Sequence, residues 1–161
     1  MRVPSQARLL AGIAIAAALS GAAATAHGAS PTATCKPTPS DSAGPFAGTG
    51  AAIRERSRIG TGHVLLGRVL RAPDCKPLKG ATVVFWQAGP HGYTAAGRGS
   101  AVTDRFGRFR FEGPVPASDD GFPPHIHILV QLDGYQDLVT RYVVPAGERT
   151  GHVTLVLESL L

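Results

Sequence analysis

The sequence predicts an all-β fold, an antiparallel β-sandwich of about seven strands behind a non-regular N-terminal arm. Three observations point there. Past the N-terminal apolar run, no stretch of ten residues repeats its apolar side chains at helical spacing. From His63 onward, short runs rich in Val, Leu, Ile and Phe alternate with clusters of Gly, Pro and Asp. These runs recur at close intervals over roughly 100 residues, enough chain for one buried core of two packed sheets.

The chain opens with "MRVPSQARLLAGIAIAAALSGAAATAHGAS". Arg2 and Arg8 precede an apolar run from Leu9 to Leu19, and small residues follow, which is the layout of a secretory signal peptide. Cleavage after Ala26 or after Gly28 fits, so residues 1–28 are assigned to the signal. The run is short and Ala-rich for a membrane span; an uncleaved anchor is the competing reading. No cysteine follows at once, so a lipoprotein anchor is not indicated. The mature protein is therefore expected outside the cytoplasm, secreted or periplasmic, with no membrane span. Residues 29–58, rich in Ala, Thr, Pro, Ser and Gly, read as a flexible arm. Residues 59–161 form the sandwich.

Within it, "HVLLGRVL" (63–70) is the first strand and "ATVVFWQA" (81–88) the second, joined by the turn-rich "RAPDCKPLKG". "QAGPHGYTAAGRG" reads as a long loop. "SAVTD" (100–104) and "RFRFEG" (108–113) flank "DRFG", a hairpin turn in which Gly107 can take positive φ. "HIHILVQL" (125–132), "DLVTRYVV" (137–144) and "HVTLVLES" (152–159) complete the set, and Val153, Leu155 and Leu157 alternate with Thr154, Val156 and Glu158. Val69, Val83, Phe85, Phe109, Phe111, Ile128 and Val130 are the core candidates. Trp86 is read as a packing residue.

Sixteen Lys and Arg against eleven Asp and Glu give a net charge of +5. Loss of Arg2 and Arg8 leaves fourteen against eleven, or +3. That excess is small, the basic residues are scattered, and no aromatic ladder runs between them, so no nucleic-acid partner is expected. The two cysteines, Cys35 and Cys75, are expected to form one disulfide in an exported chain, tying the arm to the first hairpin; two free thiols are the alternative. Edge strands and Phe-rich faces allow a homodimer.

The chemistry centres on "PPHIHILV" (123–130). On a strand, residues i and i+2 share a face, so His125 and His127 project together and Ile126 points away. Two imidazoles on one face can bind one transition metal. Alone the pair is equally readable as hydrogen-bonded histidines on a strand edge. The long loop "QAGPHGYTAAGRG" (87–99) carries Tyr93 and a second candidate, His91. A phenolate oxygen with imidazoles suits Fe(III) better than softer ions.

Taken in order, these blocks resemble the intradiol ring-cleavage dioxygenases over most of residues 35–145. "CKPTPSDSAGPF" resembles the arm ahead of that family's core. "GRVLRAPDCKPLKGATVVFWQAGPHGYT" resembles its strand–turn–strand block carrying G-x-Y. "TDRFGRFRFEGPVP", "PPHIHILV" and "DGYQDLVTRYVVPAG" resemble the segments that follow. The resemblance implies a mononuclear ferric ion held by Tyr93, His125 and His127. It also implies a catechol-type aromatic diol and O₂ as substrates, and ring opening between the two hydroxyl-bearing carbons. The family's second tyrosine ligand falls at Val115, which cannot ligate. Its arginine near the substrate falls at Phe122. Both departures imply altered or reduced chemistry. Asp119 and Asp120 are carboxylates close enough in sequence to stand in, although loop solvation and turn formation explain them as well. Tyr135 and Tyr142 sit in plain strand and turn positions. The block "GRVL…GATVVFWQ…AVTDRFGRFRFEG" also resembles transthyretin-like and carboxypeptidase-regulatory-like modules, which implies a non-catalytic exported binding module instead.

Overall fold

The computed structural model describes residues 34–42, Gly44 and residues 55–161; the predicted signal segment lies outside them. Seven strands follow in chain order: β1 (His63–Arg71), β2 (Thr82–Gly89), β3 (Gly92–Val102), β4 (Arg108–Gly113), β5 (His125–Gln131), β6 (Leu138–Val143) and β7 (Thr150–Leu157). They form two sheets, ordered β4-β1-β7 and β3-β2-β5-β6. Four of the five strand pairs are antiparallel; β1 and β7 run parallel. The all-β sandwich is therefore observed, with one parallel pair where an antiparallel fold was expected. The last strand enters the free edge of β1 after a crossing between sheets, and such a crossing does not force antiparallel entry.

Two expected hairpins are crossings of this kind. β1 and β2 lie in different sheets, as do β3 and β4, so "RAPDCKPLKG" and "DRFG" carry the chain over the core. Local turn chemistry is right in the second case: Gly107 has φ 71°, and the Asp104 carboxylate accepts from the Phe106 and Arg108 amides at 2.8 and 2.9 Å. Short alternating strands state which face is buried, not which neighbour they pair with. The two hairpins present are β2–β3 and β5–β6.

The core forms between the sheets from the inward face of each strand. Phe85 of β2 stacks on Phe111 of β4 with ring centroids 4.3 Å apart and tilts against Phe109 at 5.5 Å. Each fully buried phenylalanine stabilises the fold by about 1.5–3 kcal/mol. Val69, Val83, Ile128 and Val130 join them, so all seven predicted core residues are found there. Ile126 also faces inward, which turns His125 and His127 to the outer face of the four-stranded sheet.

The arm has no regular structure between residues 34 and 42, yet it is pinned. Cys35 and Cys75 are bonded, with an S–S distance of 2.03 Å. The Thr38 amide donates to Val156 O at 3.0 Å, and the Val156 amide donates to Thr38 Oγ1 at 2.8 Å. The Asp41 amide donates to Val139 O at 2.7 Å, and the Asp41 carboxylate accepts from Arg141 Nε. Because β7 and β6 are the edge strands of the two sheets, the arm straps the open side of the sandwich.

Candidate metal centre

Tyr93 reaches the histidine face by strand pairing. The predicted long loop is instead a tight β2–β3 hairpin, with Gly89 opposite Gly92 and Ala88 opposite Tyr93. Beyond it the register jumps, so that Trp86 faces Arg98 and the extra residues 94–97 bulge out of β3. Gly97 permits this, since any Cβ there would overlap the Gln87 carbonyl. The segment "TAAG" offers no β-branched or aromatic alternation, which is why it does not read as strand from sequence. Tyr93 is thus a strand residue, on the same outer face as His125 and His127, which lie on β5, the other neighbour of β2.

The three donor atoms converge. Tyr93 Oη is 3.0 Å from His125 Nε2 and 3.0 Å from His127 Nε2, and the two nitrogens are 3.0 Å apart. His125 Nδ1 lies 2.8 Å from Pro123 O. A carbonyl only accepts, so Nδ1 carries the proton of the neutral ring and Nε2 presents a lone pair. The tyrosine hydroxyl and His127 Nε2 can then supply at most two protons to three contacts. No single proton can point along two edges of a triangle. A cation satisfies all three lone pairs at once. Two ligand atoms about 2.1 Å from a first-row ion and at right angles stand about 3.0 Å apart, which is the edge length found. Among the described residues no three His, Cys, Asp or Glu side chains form a metal-sized group, so the tyrosine is what completes a three-donor set.

The electrostatics suit such a set. His125 and His127 are only 3% and 7% exposed. Burial, then the proximity of His125 and Arg141, pushes His127 down to about 4, so its ring is neutral at pH 7. Burial raises the Tyr93 pKa, the Asp119 charge adds to that, and Arg141 opposes it. The phenol therefore keeps its proton until a cation competes for the oxygen.

A cleft of about 310 Å³ opens beside the triangle, lined in part by Asp119, Asp120, Phe122 and Arg141. Arg141 stands opposite His127 in the β5–β6 register, and its guanidinium lies 5.0 Å over the Phe122 ring. Gly44 lies against His127 from the arm side, where a Cβ would sit 3.0 Å from the ring. Sequence reasoning missed Arg141 and Asp41, because only strand register and the strap bring them here. Other candidates lie elsewhere. His91 sits at the hairpin tip in a separate cleft. Val115 is half-exposed and lines other clefts. Tyr142 donates to Glu148 at 2.6 Å, and Tyr135 packs against the core.

No family model matches the sequence, and no curated protein matches it. Solved structures do. The dioxygenase domain of a dioxygenase–carbohydrate-binding protein fusion from the cellulolytic bacterium Streptomyces sp. SirexAA-E is similar with a TM-score of 0.65 and 24% identity, over 77% of this chain and 99% of that one. The intradiol ring-cleavage dioxygenase from Tetranychus urticae is similar with a TM-score of 0.65 and 18% identity, over 79% and 97%. Hydroxyquinol 1,2-dioxygenase from Pseudomonas putida DLL-E4 gives 0.58 and 20%, over 81% and 68%. The chain has the fold of the intradiol dioxygenases.

Proposed function

We propose that this protein is an exported ferric dioxygenase of the intradiol type, which uses O₂ to open a catechol-type ring between its two hydroxyl-bearing carbons. The observation that carries the reading is the 3.0 Å triangle of one phenol oxygen and two imidazole nitrogens on this fold. Tyr93, His125 and His127 would hold the ion; bound there, Fe(III) would draw electron density from the diol so that a ring carbon reacts with O₂.

The chain's own residues prepare that chemistry. Pro123 O fixes the His125 ring by accepting from Nδ1–H, so its Nε2 keeps a lone pair free to ligate a metal. Burial keeps His127 neutral at working pH. The Tyr93 proton must leave when the oxygen is engaged, and Arg141 favours that loss. A cleft of about 310 Å³ would have room for a single-ring diol beside the donor triangle, and the Arg141 guanidinium in its lining would stabilise an ionised diol oxygen. Gly44 covers one side of His127, which limits the approach of water.

Val115 and Phe122, at the places where the resemblance has tyrosine and arginine, favour a second reading, a metal-binding module without turnover. One experiment separates the two. Ferric-loaded protein should show the visible charge-transfer band of a tyrosinate–iron pair, and Tyr93→Phe should abolish it. Oxygen uptake with catechol should then yield a muconate-type diacid, one O₂ per ring. Colourless wild-type protein defeats both readings of the site. A coloured protein with a flat oxygen trace leaves only the binding module.

A further inference from the structure

We propose that the Asp119 carboxylate is the fourth protein donor of this centre, replacing the tyrosine that the resemblance would put at position 115. The inference rests on the ferric reading above and names a ligand that reading leaves open.

Placement comes first. Asp119 lines the same cleft as Tyr93, His125 and His127, whereas Val115 does not. Its carboxylate stands outside a metal-sized group with the two imidazoles, so ligation would require it to turn in from the cleft wall when the ion binds. A tight turn delivers it. The Phe122 amide donates to Asp119 O at 2.7 Å and the Asp119 amide to Phe122 O at 3.2 Å, around Asp120 at φ 43° and Gly121 at φ 79°. Positive φ at both central residues is the geometry of a type I′ turn, which Asp and Gly tolerate. Just before it, the Ala117 amide donates to Ala88 O at 2.9 Å, and Ala88 is the register partner of Tyr93. The loop that carries the carboxylate is therefore tied to the strand position beside the phenol.

The charge balance points the same way. Asp119 is half-buried, and among the described residues no hydrogen bond or ion pair reaches its carboxylate. The cation in the cleft, Arg141, already holds Asp41. A carboxylate facing this cleft with no cation of its own is available as a hard oxygen donor to an ion held by the triangle. Phenolate plus carboxylate then supply two negative charges to Fe(III), as two tyrosinates would, and both are hard oxygen donors. Asp133, exposed and outside the cleft, provides the matched control.

The test titrates ferric nitrilotriacetate into wild-type protein, Asp119→Asn, Asp119→Ala and Asp133→Asn, following the visible band and the bound iron, with far-ultraviolet circular dichroism to confirm folding. Loss of an anionic ligand should weaken ferric binding by at least roughly tenfold. It should also move the band to longer wavelength, because an ion with one anion fewer takes tyrosinate charge more readily. The expected result is both changes in the two Asp119 variants and neither in Asp133→Asn. Wild-type affinity and band position in folded Asp119→Ala overturn the proposal and leave the ferric centre standing. Absence of any band in wild-type protein overturns the centre itself.

Discussion

Replacing Cys35 and Cys75 by serine should unhook the arm while the sandwich stays folded. The hydrogen bonds that hold residues 34–42 to the body include Cys35 to Pro73, two between Thr38 and Val156, Asp41 to Val139, and Arg141 to Asp41. Each contributes about 1 kcal/mol net. Ordering each of the nine residues costs about 1–2 kcal/mol of backbone entropy. Hydrogen bonds alone do not hold such a segment, so the tether must. The disulfide spans a sequence separation of 40, for which loop-closure entropy gives a stabilisation of about 4 kcal/mol. That sets a ceiling: exchange of the Thr38 and Asp41 amides should speed up by as much as about 10³-fold in the variant, at about 1.4 kcal/mol per decade. Amides of β2 and β5, buried in the sheet, should change far less. Amide hydrogen exchange read residue by residue decides the matter. Thr38 and Asp41 amides that stay as protected as those of β5 would refute the reasoning, since the arm would then be held by its own contacts.

Three further outcomes are expected. The Asp41 carboxyl is held down at about 2, chiefly by its hydrogen bond from Arg141, against 3.8 unperturbed. Its folded pKa is depressed, so its contribution is present above pH 4 and lost as pH falls towards 2; Asp41→Asn should reduce the fall in unfolding free energy across that window by about 0.2–1 kcal/mol, read by urea unfolding at each pH, and an unchanged pH dependence would count against the pair. Gly67 has the Phe109 ring where a Cβ would go, so Gly67→Ala should cost about 1–3 kcal/mol. Combined with Phe109→Ala, the two losses should sum to less than their separate values, and strict additivity in urea unfolding would show that the ring does not fill that space. Arg141→Gln should raise the KM for catechol roughly tenfold, the scale of one charge-assisted hydrogen bond, while the tyrosinate band persists, and Arg141→Lys should recover part of the loss; equal KM values across the three proteins would remove Arg141 from the substrate site.

What the sequence makes legible is whatever depends on local alternation. Phe85, Phe109, Phe111, Ile128 and Val130 declare the inward face, and the same alternation throws His125 and His127 outward together. Turn residues such as Gly107 are legible because they meet a local backbone need. Pairing is not local. The parallel β1–β7 contact, the sheet crossings and the opposition of Arg141 to His127 arise from where whole strands settle. Tyr93 falls between the two cases: G-x-Y marks it, but its strand is hidden by the Gly- and Ala-rich bulge that follows.

The two substitutions that look most damaging in sequence look different in space. At position 122 an aromatic stands where the resemblance has a cation, but the cleft is not without one. Arg141 enters from β6 and lays its guanidinium over that same phenylalanine ring. An aromatic face stabilises a cation above it by about 0.5–2 kcal/mol, and Asp41 orients it from the arm. Phe122 thus serves as a platform for a charge supplied by another strand. The arrangement makes the cleft depend on the strap: with Asp41 gone, the Phe122 ring is the one remaining contact among the described residues that holds Arg141 over the cleft. A disulfide far from the donors in sequence therefore bears on the charge beside them, through Asp41 and one guanidinium.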